Sequence, residues 1–200
     1  MLALVKGMSE NSANQMSLST DIDITEKMRA SLVYILKNGG SMEIMRLAKL
    51  AYLSDYLFAK TFGDENGFLG GHKRFTYGPV PRSFYPSLRT LYIDHIASRH
   101  VNTIQLDDSS ISTTVLSEKE KACIDKVLEE FKGTTLTQVK LAAYNTEPML
   151  SIQQKEKSLN GLKMINANMD FELIKKHPLL DNDDLDISFM ESPEFQKNLI

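Results

Sequence analysis

The chain has 200 residues, a mass of 22.6 kDa and a net charge of −3, and 42% of its residues are hydrophobic and 24% charged. This composition is that of an ordinary globular protein, and it excludes collagen-like, coiled-coil and wholly disordered chains. The single cysteine, Cys123, excludes an internal disulfide and a zinc site built on several cysteines. No apolar run approaches the ~20 residues that cross a bilayer, and residues 1–15 lack the apolar core of a secretory signal, so we predict a cytoplasmic protein.

Apolar residues at helical spacing dominate the first third of the chain. A lead-in over residues 1–20 precedes a first helix that begins near Asp23, where Glu26 completes a capping-box pattern, and that ends at a Gly-Gly pair. Ser41 is predicted to cap a second helix over residues 41–61, which is apolar nearly all round and therefore typical of the buried centre of a domain. The residues assigned to this core helix are Leu47, Leu50, Tyr52, Leu53, Asp55 and Leu57.

Turn signals and β-prone runs surround one further helix in the middle of the chain. Five glycines between residues 62 and 81 indicate a turn-rich segment with a small hairpin around Phe68 and Phe75. A helix is predicted over residues 82–98, with Pro86 tolerated in its first turn. The second predicted hairpin pairs the runs 101–106 and 111–115, with Asp107 and Asp108 in its turn.

Helices are predicted for most of the chain that follows. Two of them begin with a capping box, formed by Ser117 with Glu120 and by Thr135 with Gln138. The predicted ranges are 117–131, 135–147 up to Pro148, and 150–176 with a break at residues 160–161. Together the elements predict a mainly α, compact single domain over residues 21–177, with about six helices and one or two small β-hairpins.

No set of residues in the sequence predicts catalysis. Residues 63–67 lack the Gly-Lys-Ser/Thr ending of a phosphate-binding loop, and no dinucleotide fingerprint occurs. The four histidines, His72 among them, never stand at metal-ligand spacing with Cys or Glu and are interpreted as surface or locally bonded side chains. Cys123 is interpreted as a small core side chain. We therefore predict a protein that is not an enzyme, with no catalytic residue, no metal and no cofactor.

Residues 71–100 combine basic and aromatic side chains and carry a net charge of +4. This mixture suits a protein interface, where aromatic residues and arginine are favoured anchors. It also suits nucleic acid, because aromatic rings stack on bases and basic groups pair with phosphates. A third interpretation places the aromatic residues in the core beneath a solvated basic face, and the sequence leaves the three open.

The second helix and the segment after it resemble a known family. Residues 47–57 read LAKLAYLSDYL, and a glycine-containing segment leads from them to the YGPVP motif at residues 77–81. An aromatic pair, Phe84 and Tyr85, follows with Leu88. This order and spacing resemble the Panacea domain, the SocA-like antitoxin family, which includes phage-associated proteins of GepA type.

The resemblance covers about residues 25–175 and is stronger in the first half of the chain. It implies an antitoxin that neutralises a cognate toxin by direct binding, either by blocking it or as an adaptor for a protease, with a protease or chaperone as a further partner. A late His and Trp of the family have no counterpart in residues 136–150. Oligomeric state does not follow from the resemblance.

The YGPVP motif is the candidate centre of the binding surface. Gly78 lets the backbone approach another chain closely, and two prolines stiffen the motif, so that little entropy is lost on binding. The same residues also fit a structural corner that packs Tyr77 and Phe84 into the core. The candidate partner-binding residues are Tyr77, Gly78, Pro79, Val80, Pro81, Arg74, Arg82 and Tyr85.

Two further hypotheses concern charge. The alternative function is a nucleic-acid-binding regulatory protein that uses the basic and aromatic segment 72–99.

Residues 178–200 form an acidic segment of net charge −5, which leaves a net charge of +2 for the other residues. We predict a solvated tail there, which engages a basic toxin, serves solubility or docks on the domain itself.

Overall fold

The computed structural model describes residues 24–174. The predicted lead-in, the cap at Asp23 and the acidic segment 178–200 lie outside the described residues. The helices are α1 (helical over 24–39), α2 (Ile44–Phe62), α3 (Phe84–Ile93), α4 (Glu118–Glu130), α5 (Leu136–Tyr144) and α6 (Glu147–Ser158), with a 3-10 turn at Phe171–Leu173. The strands are β1 (Met42–Glu43), β2 (His72–Phe75), β3 (Gly78–Pro81), β4 (Ala97–His100) and β5 (Thr103–Leu106). These residues form six helices and two small antiparallel sheets, which is compatible with the predicted mainly α domain.

Helix α2 is the centre of the described structure. Thirteen of its 19 residues are buried, and α4, α5 and β3 pack against it. All six residues assigned to the core helix, Asp55 included, are buried. Gly63 ends the helix in the left-handed conformation (φ 69°), with its N–H donated to the carbonyl of Ala59. The nearly continuous apolar surface of this helix therefore reflects contact with neighbours on several sides.

The predicted start of α2 at Ser41 is wrong, and the reason is non-local. Met42 and Glu43 form a short strand that pairs with Ile104 and Thr103 of β5, so the helix begins only at Ile44. The N–H of Ile44 is donated to the carbonyl of Asn102 at 2.9 Å. The start of α2 is thus held beside the turn between β4 and β5.

Both hairpins differ from their predicted positions. β2 pairs with β3, so the first hairpin excludes Phe68, and β4 pairs with β5 through a two-residue turn at Val101 and Asn102. The pairing of residues 101–106 with 111–115 is wrong, because the N–H groups of Asp107 and Asp108 are donated to the carbonyl of Ile96. The predicted helix over 82–98 is correspondingly too long, since residues 97–100 belong to β4.

Helices α4 and α5 begin where the sequence predicts, whereas α6 begins at Glu147 rather than at residue 150. Both capping boxes are present as predicted, at Ser117 and at Thr135. Pro148 does not end α5, because it lies in the first turn of α6, where its missing N–H costs no hydrogen bond. The break at residues 160–161 is confirmed, but the predicted α-helix beyond it is wrong: up to Ile174 a 3-10 turn forms there, and Asn168 pairs with Lys73 of β2.

Cys123 gives a chemical test of this core. The side chain is completely buried in α4, and burial, followed by the charges of Asp55 and Glu120, raises the pKa of the thiol to about 12. The thiolate is the reactive form, so burial also suppresses the reactivity of this side chain. We expect a disulfide reagent such as Ellman's reagent to label Cys123 only at the rate of unfolding. Rapid labelling under native conditions, measured beside a urea-unfolded control, would contradict this placement.

Candidate functional site

An open cleft of about 560 Å³ lies where the start of α2, the β2–β3 hairpin and the β4–β5 turn meet. The apolar and aromatic residues of its lining are Ile44, Met45, Ala48, Phe75, Tyr77, Val80, Tyr85 and Leu136. The polar residues of its lining are Glu43, Lys49, Thr76, Arg99 and Asn102. A cavity of this size, mostly apolar with a few polar groups, has the form of a binding site.

Two tyrosines stand exposed at this cleft. Tyr77 is 59% exposed and Tyr85 is 50% exposed, although both are large rings. The ring of Tyr85 packs against two other aromatic rings: its centre lies 5.7 Å from the centre of the Phe75 ring and 5.2 Å from that of the Phe84 ring. The ammonium group of Lys140 lies 5.9 Å from the centre of the Tyr77 ring. The rings are therefore held in place while their outer faces remain accessible.

The β2–β3 hairpin determines how the YGPVP motif is presented. Phe75 pairs with Gly78, so Thr76 and Tyr77 form the two-residue turn at the tip. All four residues of β3 are buried, and Gly78 adopts a positive φ of 96°. A Cβ atom on Gly78 would lie 2.4 Å from the ring of Tyr144. The motif is thus a buried strand that carries one exposed tyrosine at its end.

The candidate partner-binding residues divide into two groups. Tyr77, Arg82 and Tyr85 are exposed. Gly78, Pro79, Val80 and Pro81 are buried in β3, although Val80 still lines the cleft. Arg74 is also buried, and its charge is already paired within the chain.

Arg74 ties the hairpin to α6. Its Nε atom donates to Oε1 of Glu156 at 3.1 Å, and its guanidinium also donates to the carbonyl of Phe75. Burial opposes ionisation of Glu156, but hydrogen bonds from Arg74 and from the N–H of Met164 hold the pKa of this carboxyl below its usual value. The pair therefore fixes the hairpin, and its geometry leaves little of Arg74 for an external partner.

Lys49 is the functional candidate that the sequence analysis did not select. Its side chain lines the cleft yet is only 1% exposed, and Nζ donates to the carbonyl of Pro79 at 2.6 Å. Among residues 24–174 no carboxylate lies within ion-pair distance of it. Burial, and then the charges of Arg74 and Lys140, lower its pKa to about 7. Its signal in the sequence is a charged residue within a helix that is apolar nearly all round, where Arg46, Asp55 and Lys60 are the other charged residues.

A buried Asp–His pair lies deeper in the same part of the fold. His72 and Asp55 are both fully buried, and Nε2 of His72 lies 2.6 Å from Oδ2 of Asp55. The carboxylate also accepts the N–H groups of Phe68, at 2.5 Å, and Leu69, at 3.3 Å. His72 stacks on Phe171 with ring centres 4.6 Å apart. Its interpretation as a surface or locally bonded histidine is wrong, because its partner lies 17 residues away in a buried site.

Neither the comparisons with known proteins nor the arrangement of metal-binding side chain types indicates a function directly. Compared with protein-family models, curated proteins and solved structures, the chain has no match in any of the three. Residues 24–174 contain no group of three or more His, Cys, Asp or Glu side chains placed to hold a metal. No helix among them is both long enough and apolar enough to span a membrane. We therefore base the function on the chain's own residues and geometry.

Proposed function

We propose that this protein is a binding protein of the antitoxin type, which neutralises a cognate toxin by direct contact and carries out no reaction of its own. The observation that carries the proposal is the pair of exposed tyrosines, Tyr77 and Tyr85, at the apolar cleft. The resemblance of residues 47–57 and 77–81 to SocA-like antitoxins gives the class of partner. In this proposal residues 21–177 act as a single cytoplasmic domain, and a protease or chaperone is a further partner of the complex.

The geometry favours a protein partner because it combines accessible rings with a rigid support. Tyrosine is among the residues that supply most of the energy of protein interfaces. The hairpin that carries Tyr77 is fixed by paired strands, by two prolines and by the Arg74–Glu156 ion pair. A partner therefore binds a surface that is already ordered, which lowers the entropy cost of association.

An enzymatic role is supported less well. The Asp55–His72 pair has the residue types of a catalytic dyad, but both side chains are 0% exposed. A general base must come within hydrogen-bond reach of the group from which it takes a proton. A pair enclosed in this way is suited to holding the loop before β2, so we assign it a structural role.

Co-expression with the protein encoded by the neighbouring reading frame tests the proposal. If that protein is a toxin, we expect its growth inhibition to be relieved by this chain and the two proteins to co-purify. Growth that returns without a detectable complex would overturn direct binding. Unrelieved inhibition despite stable expression of both proteins would overturn the antitoxin function.

Nucleic-acid binding remains the second candidate, and one observation favours it. Arg82, Arg89 and Arg99 are exposed near Tyr77 and Tyr85 in the sequence, and within the described residues none of the three arginines has an ion pair. Three phosphate contacts would make the logarithm of the binding constant fall with that of the salt concentration with a slope of about −2 to −3. Titration of a fluorescent single-stranded oligonucleotide at several salt concentrations measures this slope. Absence of binding at low salt would exclude the candidate.

A further inference from the structure

We propose that Lys49 makes the β2–β3 hairpin sensitive to pH: β3 is seated on α2 while the Lys49 amine is neutral, and uptake of a proton favours a minor state in which β3 is lifted away from α2. Such a change would displace Tyr77 and Val80, which line the cleft. As regulation of the partner surface this inference rests on the proposed function, but the link between Lys49 and the hairpin can be tested without any partner.

Lys49 is a polar link between α2 and the outer edge of β3. Gly78 faces Phe75 across the two-residue turn, so alternate residues of β3, beginning with Gly78, direct their backbone groups towards β2. Pro79 and Pro81 direct theirs away from β2, and neither has an N–H group. The outer edge of β3 therefore presents carbonyl groups alone, and that of Pro79 accepts Nζ of Lys49 at 2.6 Å.

The protonation state of Lys49 decides how many buried donors lack an acceptor. The side chain is 1% exposed, and the carbonyl of Pro79 is its one acceptor among the described residues. An ammonium group has three N–H donors, so two would be unpaired there, whereas a neutral amine leaves one unpaired. A buried donor without an acceptor carries its desolvation cost, and the cost is larger for a charged group. The seated hairpin therefore favours the neutral amine.

The buried carboxylates of residues 24–174 do not balance a charge on Lys49, because each of them has another partner. The three pairs are Asp55 with His72, Glu120 with Lys27, and Glu156 with Arg74. No carboxylate in this part of the chain lies within ion-pair distance of Lys49. A proton on Lys49 in the seated state is thus a buried charge without a counter-charge, which is costly.

The charged groups that face Lys49 add to this cost. Arg74 of β2 and Lys140 of α5 are both cationic, and after burial itself their charges are the causes that lower the pKa of Lys49 to about 7. Glu43 and Arg99 also line the cleft, but both are exposed and their charges are opposite. The remaining titratable groups of the cleft lining are Tyr77 and Tyr85. The change of protonation therefore falls near neutral pH.

The direction of the pH effect follows from the proton bound in each state. In the lifted state Nζ is in water, where the pKa of a lysine is about 10.4, so this state is protonated throughout the range from pH 6 to pH 8. The seated state takes up its proton only within that range. Lowering the pH from 8 to 6 therefore increases the ratio of lifted to seated molecules, by roughly tenfold for these two pKa values.

Hydrogen exchange at single amides of the intact protein tests the proposal. The measured quantity is the protection factor of the Val80 amide, which lies opposite Lys73 in the hairpin, obtained by NMR at pH 6 and pH 8 and corrected for the intrinsic exchange rate. We expect this factor to fall at least about fivefold from pH 8 to pH 6. In K49M, whose side chain takes up no proton, it should be equal at the two pH values. In K49R, whose side chain is always charged, it should be low at both.

Two controls show whether the effect is specific to Lys49 and to the hairpin. Lys60 is the other buried lysine of α2 and has a carboxylate, Glu147, at 3.8 Å, so K60M should keep the pH dependence of the parent protein at Val80. The amide of Ile104, a fully buried residue of the other sheet, reports on opening of the whole fold. Its protection should change less between the two pH values than that of Val80.

Several outcomes would overturn the proposal. Unchanged protection of Val80 in the parent protein, or an equal pH dependence in K49M, would show that Lys49 does not control the hairpin. An equal fall at Ile104 would show that the whole fold loosens. If the variants do not fold, NMR of the parent protein labelled with ¹³C at lysine Cε still decides: one lysine should titrate near pH 7, and titration of every lysine above pH 9 would contradict the proposal. None of these results depends on whether the protein is an antitoxin.

Discussion

Replacement of Asp55 by alanine is expected to lower the free energy of unfolding by about 3–5 kcal/mol, because it removes one partner of a fully buried, hydrogen-bonded Asp–His pair. The substitution leaves the N–H groups of Phe68 and Leu69 and the ring of His72 without their shared acceptor in the core. A buried donor without an acceptor carries its full desolvation cost. Urea denaturation followed by circular dichroism measures the change.

A matched substitution separates this effect from the general loss of a carboxylate. Asp64 lies in the same loop region, is exposed and accepts only the N–H of Asn66, so D64A is expected to cost less than about 1 kcal/mol. The double variant D55A/H72F should cost less than the sum of its single substitutions, because the two side chains interact directly. Additive losses, or a small loss in D55A, would mean that the buried pair does not hold the loop.

Replacement of Gly78 by alanine is expected to cost about 2–4 kcal/mol. One contribution is the positive φ of 96°, which an L-residue adopts at a cost of roughly 1–2 kcal/mol. The other is the contact of 2.4 Å between the new Cβ and the ring of Tyr144, which has to move. The melting temperature and the free energy of unfolding in urea measure the loss.

Gly133 provides the control for this substitution. Its φ is 74°, and a Cβ there would meet nothing within 4 Å, so G133A should show the backbone cost alone, about 1 kcal/mol. The difference between the two variants then reports the packing of Gly78 on Tyr144. Equal losses would show that this close contact contributes nothing. Because G78A is expected to destabilise the fold, a loss of binding in that variant would not identify a partner surface.

The helices were predictable because their signals are local. Apolar spacing within α2 and the capping boxes at Ser117 and Thr135 depend only on residues a few positions apart. The strands depended on distant pairing: Met42 becomes a strand residue only because Ile104 lies beside it. β4 was missed because residues 98–100 are Ser, Arg and His, which give no β-signal of their own.

The candidate site was predictable only in part, for the same physical reason. The sequence indicated the aromatic and basic character around Tyr77 and Tyr85, but not which rings are exposed. Arg74 is buried where it pairs with Glu156, which is 82 residues away in the sequence. Lys49 lines the cleft where its Nζ donates to the carbonyl of Pro79, 30 residues away. Such pairings are decided by tertiary packing, which a single sequence does not display.

If a toxin co-purifies with this chain, as proposed, its affinity for two double variants tests most directly whether the tyrosine-lined cleft is the binding surface. The cleft variant is Y77S/Y85S, and the control is I93S/L162S, whose residues are 62% and 70% exposed and do not line the cleft. Loss of two central aromatic anchors should weaken binding at least about 30-fold. We expect that loss for the cleft variant alone, with both melting temperatures near that of the parent protein. Parental affinity in Y77S/Y85S, or an equal loss in I93S/L162S, would contradict the assignment.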